Sequence, residues 1–139
     1  MLSSMKRLLV LFSSSFPFGP SETFLAAEFP YLENAFDEVF VISNDVASPQ
    51  VWPIGATVTC IRTSYGLGFT QKLLALRGLL LPFVWQEFAA IRKRHQTVAP
   101  QRVLSTVLTS WAKAKRFARM IAQISSSRPD ARVYAYSYW

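Results

Sequence analysis

A single cysteine, Cys60, and a single histidine, His95, occur in 139 residues. That scarcity excludes an intrachain disulfide and any zinc centre built from clustered Cys and His. Cys60 sits in the apolar run Val58-Thr59-Cys60-Ile61. A thiol there is expected to be buried and structural, which suits a reducing, cytoplasmic setting. His95 lies in a charged stretch, Arg92-Lys93-Arg94-His95-Gln96, and is expected at the surface without a catalytic role. Acidic residues are also few: 8 against 15 Lys and Arg, for a formal charge of +7. Six of them fall early, at Glu22, Glu28, Glu33, Asp37, Glu38 and Asp45, and only Asp130 follows Arg92. A basic second half favours an anionic neighbour. No recognisable nucleic-acid-binding fold accompanies the charge, so nucleic acid is not expected as a partner. A membrane-spanning run is missing as well. Leu8 to Phe12 is short and lacks a small-x-small cleavage site, and Leu73 to Ile91 is broken by Pro82 and carries Arg77 and Glu87. The chain has no internal repeat, no low-complexity tract, no Walker A loop and no Gly-x-Ser-x-Gly elbow.

What is present is apolar. Hydrophobic residues make up 51% of the chain and mean hydropathy is +0.22, which excludes disorder. The length allows one domain at most. Residues 7–13 form a continuous apolar run, the pattern of a strand buried on both faces of a parallel sheet. A turn cluster follows, then a helix over Ser21–Phe36 with Ser21 as N-cap and Glu22 at the positive dipole end. Leu25, Phe29, Leu32 and Phe36 give its core face, and Pro30 is expected to kink or interrupt it. Residues 38–43 and 57–61 read as further strands, in strand–helix–strand order. Helices are expected over 70–95 and 101–125, parted at Pro100, and a last strand over 132–139 beside the first. In the second of these helices Leu104, Val107, Leu108, Trp111, Ala114, Ala118 and Ile121 form one apolar stripe. The expected fold is α/β, a partial, doubly wound, Rossmann-like parallel sheet. Its last strand comes without the further strands and helices that normally cover such a sheet, so the chain reads as a domain cut short.

The loop from Phe16 to Phe24 joins the first strand to the first helix. In open α/β sheets ligands bind beyond the carboxyl ends of strands, and a helix N-terminus there offers N–H groups to an anion. Gly19 permits close backbone approach, and Ser21 and Thr23 add hydroxyls; an ordinary turn with a helix cap is the competing reading. A second glycine pair, Gly66-Leu-Gly68, lacks the third glycine of a dinucleotide fingerprint and reads as a plain loop.

The segments Leu11 to Leu25, Glu28-Phe-Pro-Tyr-Leu32 and Phe36 to Ser43, with the ending Tyr136-Ser-Tyr-Trp139, resemble the opening of bacterial family-four glycosyltransferases of the GT-B fold. The resemblance is close over residues 7–43, returns at 132–139 and is loose between. It implies that residues 1–139 are an incomplete N-terminal, acceptor-side domain, the donor-binding C-terminal domain being absent. It further implies retaining hexose transfer from a nucleotide sugar to a glycan or lipid-linked acceptor, as in polysaccharide biosynthesis, with no metal and no cofactor. Both substrates would be engaged only in a full-length form. Carried over, Gly19, Ser21, Glu22 and Thr23 face the donor phosphates, and Tyr138 and Trp139 lie on the acceptor side. The family's His-Gly-x-Asp-like stretch, the basic pair that grips the donor diphosphate and the Glu-x7-Glu motif have no counterpart here. No catalytic residue is therefore assigned, and the chain is expected to be inactive alone.

A different signal comes from Arg92, Lys93 and Arg94, and from Lys113 and Arg116 with Lys115 and Arg119 beside them, interleaved with Trp85, Phe88, Trp111 and Phe117. These read either as a solvated face over core aromatics or as a basic cluster for peripheral attachment to an anionic membrane, such as the inner face of the plasma membrane. The alternatives to an enzyme fragment are thus a lipid-binding module and a free-standing Rossmann-like nucleotide binder.

Overall fold

The computed structural model describes residues 5–137, apart from the side chain of Leu74. In chain order it contains β1 (Lys6–Ser13), α1 (Thr23–Ala35), β2 (Glu38–Ser43) and β3 (Val58–Arg62). These are followed by α2 (Phe69–Ala75), a 3-10 helix (Leu76–Leu80), α3 (Pro82–Arg94), α4 (Pro100–Ser126) and β4 (Ala131–Ser137). The four strands form one all-parallel sheet in the order β3-β2-β1-β4. The fold is therefore α/β and Rossmann-like, with the strand sequence 3-2-1-4 that begins a doubly wound sheet. β1 pairs on both sides: Leu9 lies opposite Val39 of β2 and Tyr134 of β4. The residues on β1 and β2 that read as continuous apolar runs are buried on both faces, from Leu8 to Ser13 and from Val39 to Ser43.

The chain divides into two compact units, one made of residues up to Tyr65 together with those from Ile121 onward, the other of Gly66–Met120. In the sheet unit, Leu25 and Phe29 of α1 pack with Leu9, Leu11, Val39 and Val41 around Phe16. Leu11, Phe16, Leu25 and Phe29 are 2% exposed or less; full burial of such side chains contributes about 1.5–3 kcal/mol each. Strand β4 is an edge, and Tyr134 and Tyr136 flank an open groove of about 290 Å³ that Leu9, Leu32 and Phe36 also line. The Phe36 and Tyr134 rings meet edge-on at 5.4 Å. At the other end of β1, the Arg7 N–H donates to the Asp37 carboxylate (2.6 Å) and the Asp37 N–H to the Arg7 carbonyl (2.8 Å).

The helical unit has a core of its own, formed by Ala75, Val84, Val103, Val107 and Leu108. The single helix expected over 70–95 is broken into three pieces. Pro82 accounts for the break before α3: it disfavours helical backbone at the residue before it, and Leu81 is extended (φ −100°, ψ 122°). Leu81 is the N-cap of α3 and Pro82 starts that helix, a position at which a missing N–H costs nothing. The apolar stripe of α4 is also shifted. Val103, Val107 and Leu108 are buried and Leu104, Trp111 and Ala112 half-buried, whereas Ala114 and Ala118 are exposed. Helix α1 is not interrupted by Pro30, which lies exposed within it. Among the described residues no single helix is long and apolar enough to cross a membrane; the pair Phe69–Leu80 and Pro82–Arg94 has the length and composition only when taken together, and it is bent by 90°.

Candidate functional site

The strand order reverses between β1 and β4, so the position at which open parallel sheets bind ligands lies beyond the carboxyl end of β1. The segment leaving β1 there is Ser14 to Glu22, and it is held from within. The carboxylate of Glu22, itself 8% exposed, reaches back to accept N–H groups from Ser14 (3.1 Å), Ser15 (2.7 Å) and Phe16 (2.6 Å). It also accepts the Ser15 hydroxyl at 3.1 Å. Successive backbone N–H groups form an anion-binding concavity, and here an internal carboxylate fills it. Buried Ser13 adds a bond from its hydroxyl to the Phe16 carbonyl (2.8 Å), and the Phe18 N–H closes the turn on the Ser15 carbonyl (2.6 Å).

Gly19 carries the positive φ of this loop, +72°, a conformation in which a side chain is strained. Its N–H donates to the Pro49 carbonyl (3.3 Å), and Val51 and Trp52 donate to the Pro17 carbonyl. The loop after β1 is thereby stitched to the loop after β2. Phe16 stacks at a tilt on Phe29, ring centres 4.7 Å apart. Ser21 and Thr23 are exposed, with the Ser21 hydroxyl hydrogen-bonded to that of Ser15. The helix starts one residue later than Ser21 as N-cap implies: Glu22 is the N-cap, and no side chain caps the helix N–H groups. Glu22 does not serve α1 as a dipole partner in its first turn; its charge is committed to the preceding loop.

Two further residues at this end of the sheet escaped sequence reading. Buried Tyr65 directs its hydroxyl at the carbonyls of Ser13 (2.9 Å) and Ile42, tying together the ends of β1 and β2. Arg62, the last residue of β3, lays its guanidinium over the Phe18 ring at 3.6 Å and places a cation beside the loop. Neither stands in a motif; each sits in a loop-flanking position, and only the sheet order reveals what it meets. Asp45 lies in the same region. The Ser48 hydroxyl, then the Ser48 and Ala47 N–H groups, hold its carboxyl below the usual aspartate range. Burial pushes the Cys60 thiol upward, with Arg62 opposing it.

Gly19, Ser21, Glu22 and Thr23 are thus brought together at one end of the sheet, whereas Tyr138 and Trp139 lie outside the described residues. The basic residues fall in the helical unit. Arg92 donates to the Val98 (2.7 Å) and Gln96 (3.4 Å) carbonyls and so closes the loop after α3, while Lys93 and Arg94 are exposed. Lys113 and Arg116 are half-buried on α4. His95 is the exposed C-cap of α3. The Gly66–Gly68 segment is a loop before α2, its Gly68 N–H bonded to the Gln71 side chain at 3.3 Å. Among the described residues no three or more His, Cys, Asp and Glu side chains gather to hold a metal. The arrangement beyond β1 offers serine and threonine hydroxyls, a guanidinium and a rigid backbone, which are groups that bind and orient. No protein family, curated protein or solved structure matches the chain.

Proposed function

We propose that this chain is the acceptor-side, Rossmann-like part of a retaining GT-B glycosyltransferase, acting on a nucleotide-sugar donor and a glycan or lipid-linked acceptor, and inactive by itself. One observation carries the reading. The residues of the glycosyltransferase-like segment are those that build the rigid loop at the strand-order reversal: Phe16 against Phe29, Gly19 at positive φ, and Glu22 on three amides. Catalysis of glycosyl transfer stabilises a departing diphosphate with positioned positive charge and N–H groups. The Ser14–Phe16 amides are engaged by Glu22, so on this reading the loop shapes a cleft wall and a second domain grips the donor. The test is a glycan and lipid-diphosphate binding panel with the purified chain, run beside UDP- and GDP-sugar turnover. No turnover is expected from the chain alone; sugar transfer by homogeneous protein, or donor binding without acceptor binding, would overturn the reading.

A second reading, peripheral attachment to an anionic membrane, draws on the helical unit. Phe69, Leu73, Leu76 and Leu80 are exposed there, in a unit holding ten Lys and Arg against one acid, Glu87. Apolar contact and basic charge act together at such surfaces. Co-sedimentation with phosphatidylglycerol vesicles but not phosphatidylcholine vesicles, weakened by Phe69→Ser with Leu80→Ser, is the expected outcome; equal binding to both lipids would remove the electrostatic part.

A further inference from the structure

The helical unit contains a cleft of about 260 Å³ lined by Gln71, Ala75 and Arg77 on one side and by Trp111, Lys115, Arg116 and Arg119 of α4 on the other. Four of its lining residues are cations and none is a carboxylate. The unit as a whole explains why. Its ten basic residues face a single acid, while the remainder of the chain has five basic residues and seven acids. The entire positive excess of the protein therefore resides in Gly66–Met120, and within it the cleft gathers cations from two elements. Lys115 also sits 4.9 Å over the Trp111 ring. The approach of the two elements is secured by Gly78, which is buried in the 3-10 helix: a β-carbon there would come within 2.8 Å of Leu108 and 3.1 Å of Trp111.

Like charges drawn to one concavity repel, and a counter-anion relieves that repulsion most where a low-dielectric wall focuses the field. Trp111 and Ala112 supply such a wall. Guanidinium groups recognise phosphate oxygens through paired N–H donors, which a point charge cannot do. Size narrows the choice further. Sites that bury drug-sized ligands run from about 300 to 1,000 Å³, so this cleft suits a small polar group better than a whole nucleotide sugar. We propose that the Arg77–Lys115–Arg119 cleft binds a phosphate or diphosphate group, either free or borne by a lipid. This proposal is independent of the glycosyltransferase reading, because it uses none of the residues beyond β1.

The experiment is calorimetric titration of the whole chain with sodium pyrophosphate and with inorganic phosphate, and in parallel co-sedimentation with phosphatidylglycerol and phosphatidylcholine vesicles. Each is repeated on Arg77→Gln with Arg119→Gln, and on a charge-matched control, Lys72→Gln with Arg102→Gln, exposed in the same unit but outside the cleft. Circular dichroism verifies that both variants fold, and Arg77→Lys with Arg119→Lys provides a version that keeps charge but loses paired donors. A tenfold or greater loss of binding is expected in the Gln cleft variant, with the control within about twofold, since each lost charge-assisted contact is worth about tenfold in affinity. Pyrophosphate binding assigns a soluble source; binding to anionic vesicles alone, still lost in the cleft variant, assigns a lipid headgroup. Equal weakening in cleft variant and control would make the effect diffuse charge and overturn the site. So would binding to neither probe, or vesicle binding that responds to Phe69→Ser with Leu80→Ser but not to the cleft variant.

Discussion

Glu22 illustrates how one side chain can look like a helix signal and act as a loop anchor. An acid at a helix start ordinarily serves the dipole. Here its carboxylate satisfies the N–H groups of Ser14, Ser15 and Phe16, two of which are at 2.7 Å or less. Removing it strands those donors in a part-buried loop, at about 1–3 kcal/mol for each group left without a partner. Glu22→Ala is expected to cost about 3 kcal/mol in a urea titration, and Glu22→Gln less, because an amide oxygen still accepts; a loss under about 1 kcal/mol for the Ala variant would contradict the anchoring role. Cys60 gives a pH-dependent counterpart. Burial raises its thiol above the ordinary value, so the folded state favours the neutral form. The resulting stability is fully present below the unfolded thiol's value, about 8.5, and is lost as pH rises through the higher folded value. Alkylation by iodoacetamide at about pH 8.5 should therefore be slower in the folded chain than in urea, and equal rates would sink the argument.

At the scale of elements, the breaks matter more than the runs. The expected helix over 70–95 breaks before α3 because Pro82 forces Leu81 out of helical backbone, and the 3-10 segment before it packs against α4 at Gly78, where there is no room for a β-carbon. Gly78→Ala is expected to part the 3-10 helix from α4 and destabilise the helical unit by about 1–3 kcal/mol, the usual cost of overpacking. Thermal unfolding followed by circular dichroism checks this, and the same variant should weaken pyrophosphate binding in the cleft. A neutral effect on both would mean that Leu108 and Trp111 yield freely. Helix α3 ends in Arg92, Lys93 and Arg94, a favourable sign for its C-terminal dipole, yet only Arg92 is tied to loop carbonyls. Arg92→Ser should consequently loosen the loop after α3, whereas Lys93→Ser and Arg94→Ser should leave stability within about 0.5 kcal/mol.

Over the whole molecule, charge is divided as the fold is. The helical unit carries ten basic residues against one acid, and the remainder is mildly acidic. Self-repulsion within a single-sign unit destabilises the compact state and is screened by salt. The midpoint of thermal unfolding is expected to rise between about 20 mM and 500 mM sodium chloride, where the screening length falls from over 10 Å to below 8 Å. Sodium phosphate at matched ionic strength should raise it further, by binding the folded state. A midpoint indifferent to both salts would count against the charge argument and the cleft together.

Much of the sheet was legible without coordinates. Continuous apolar runs at residues 7–13 and 38–43 mark strands buried on both faces, and their parallel pairing follows from the helix between them. The loop residues Gly19, Ser21, Glu22 and Thr23 were visible too, because turn chemistry and a helix start are local properties. Local signals did not carry the direction of the Glu22 carboxylate, for a side chain at a helix start can turn either to its helix or to the preceding loop. Nor could they gather Arg77 with Lys115 and Arg119, which lie about forty residues further along the chain and line one cleft because Gly78 lets two helical elements close on each other. Strand identity and overall charge were thus determined by the sequence alone, since each depends on neighbours along the chain. Which carboxylate fills the loop, which tyrosine pins β1 to β2, and which cations share a cleft were decided by the tertiary structure, since each depends on what packing brings within hydrogen-bonding or Coulombic range.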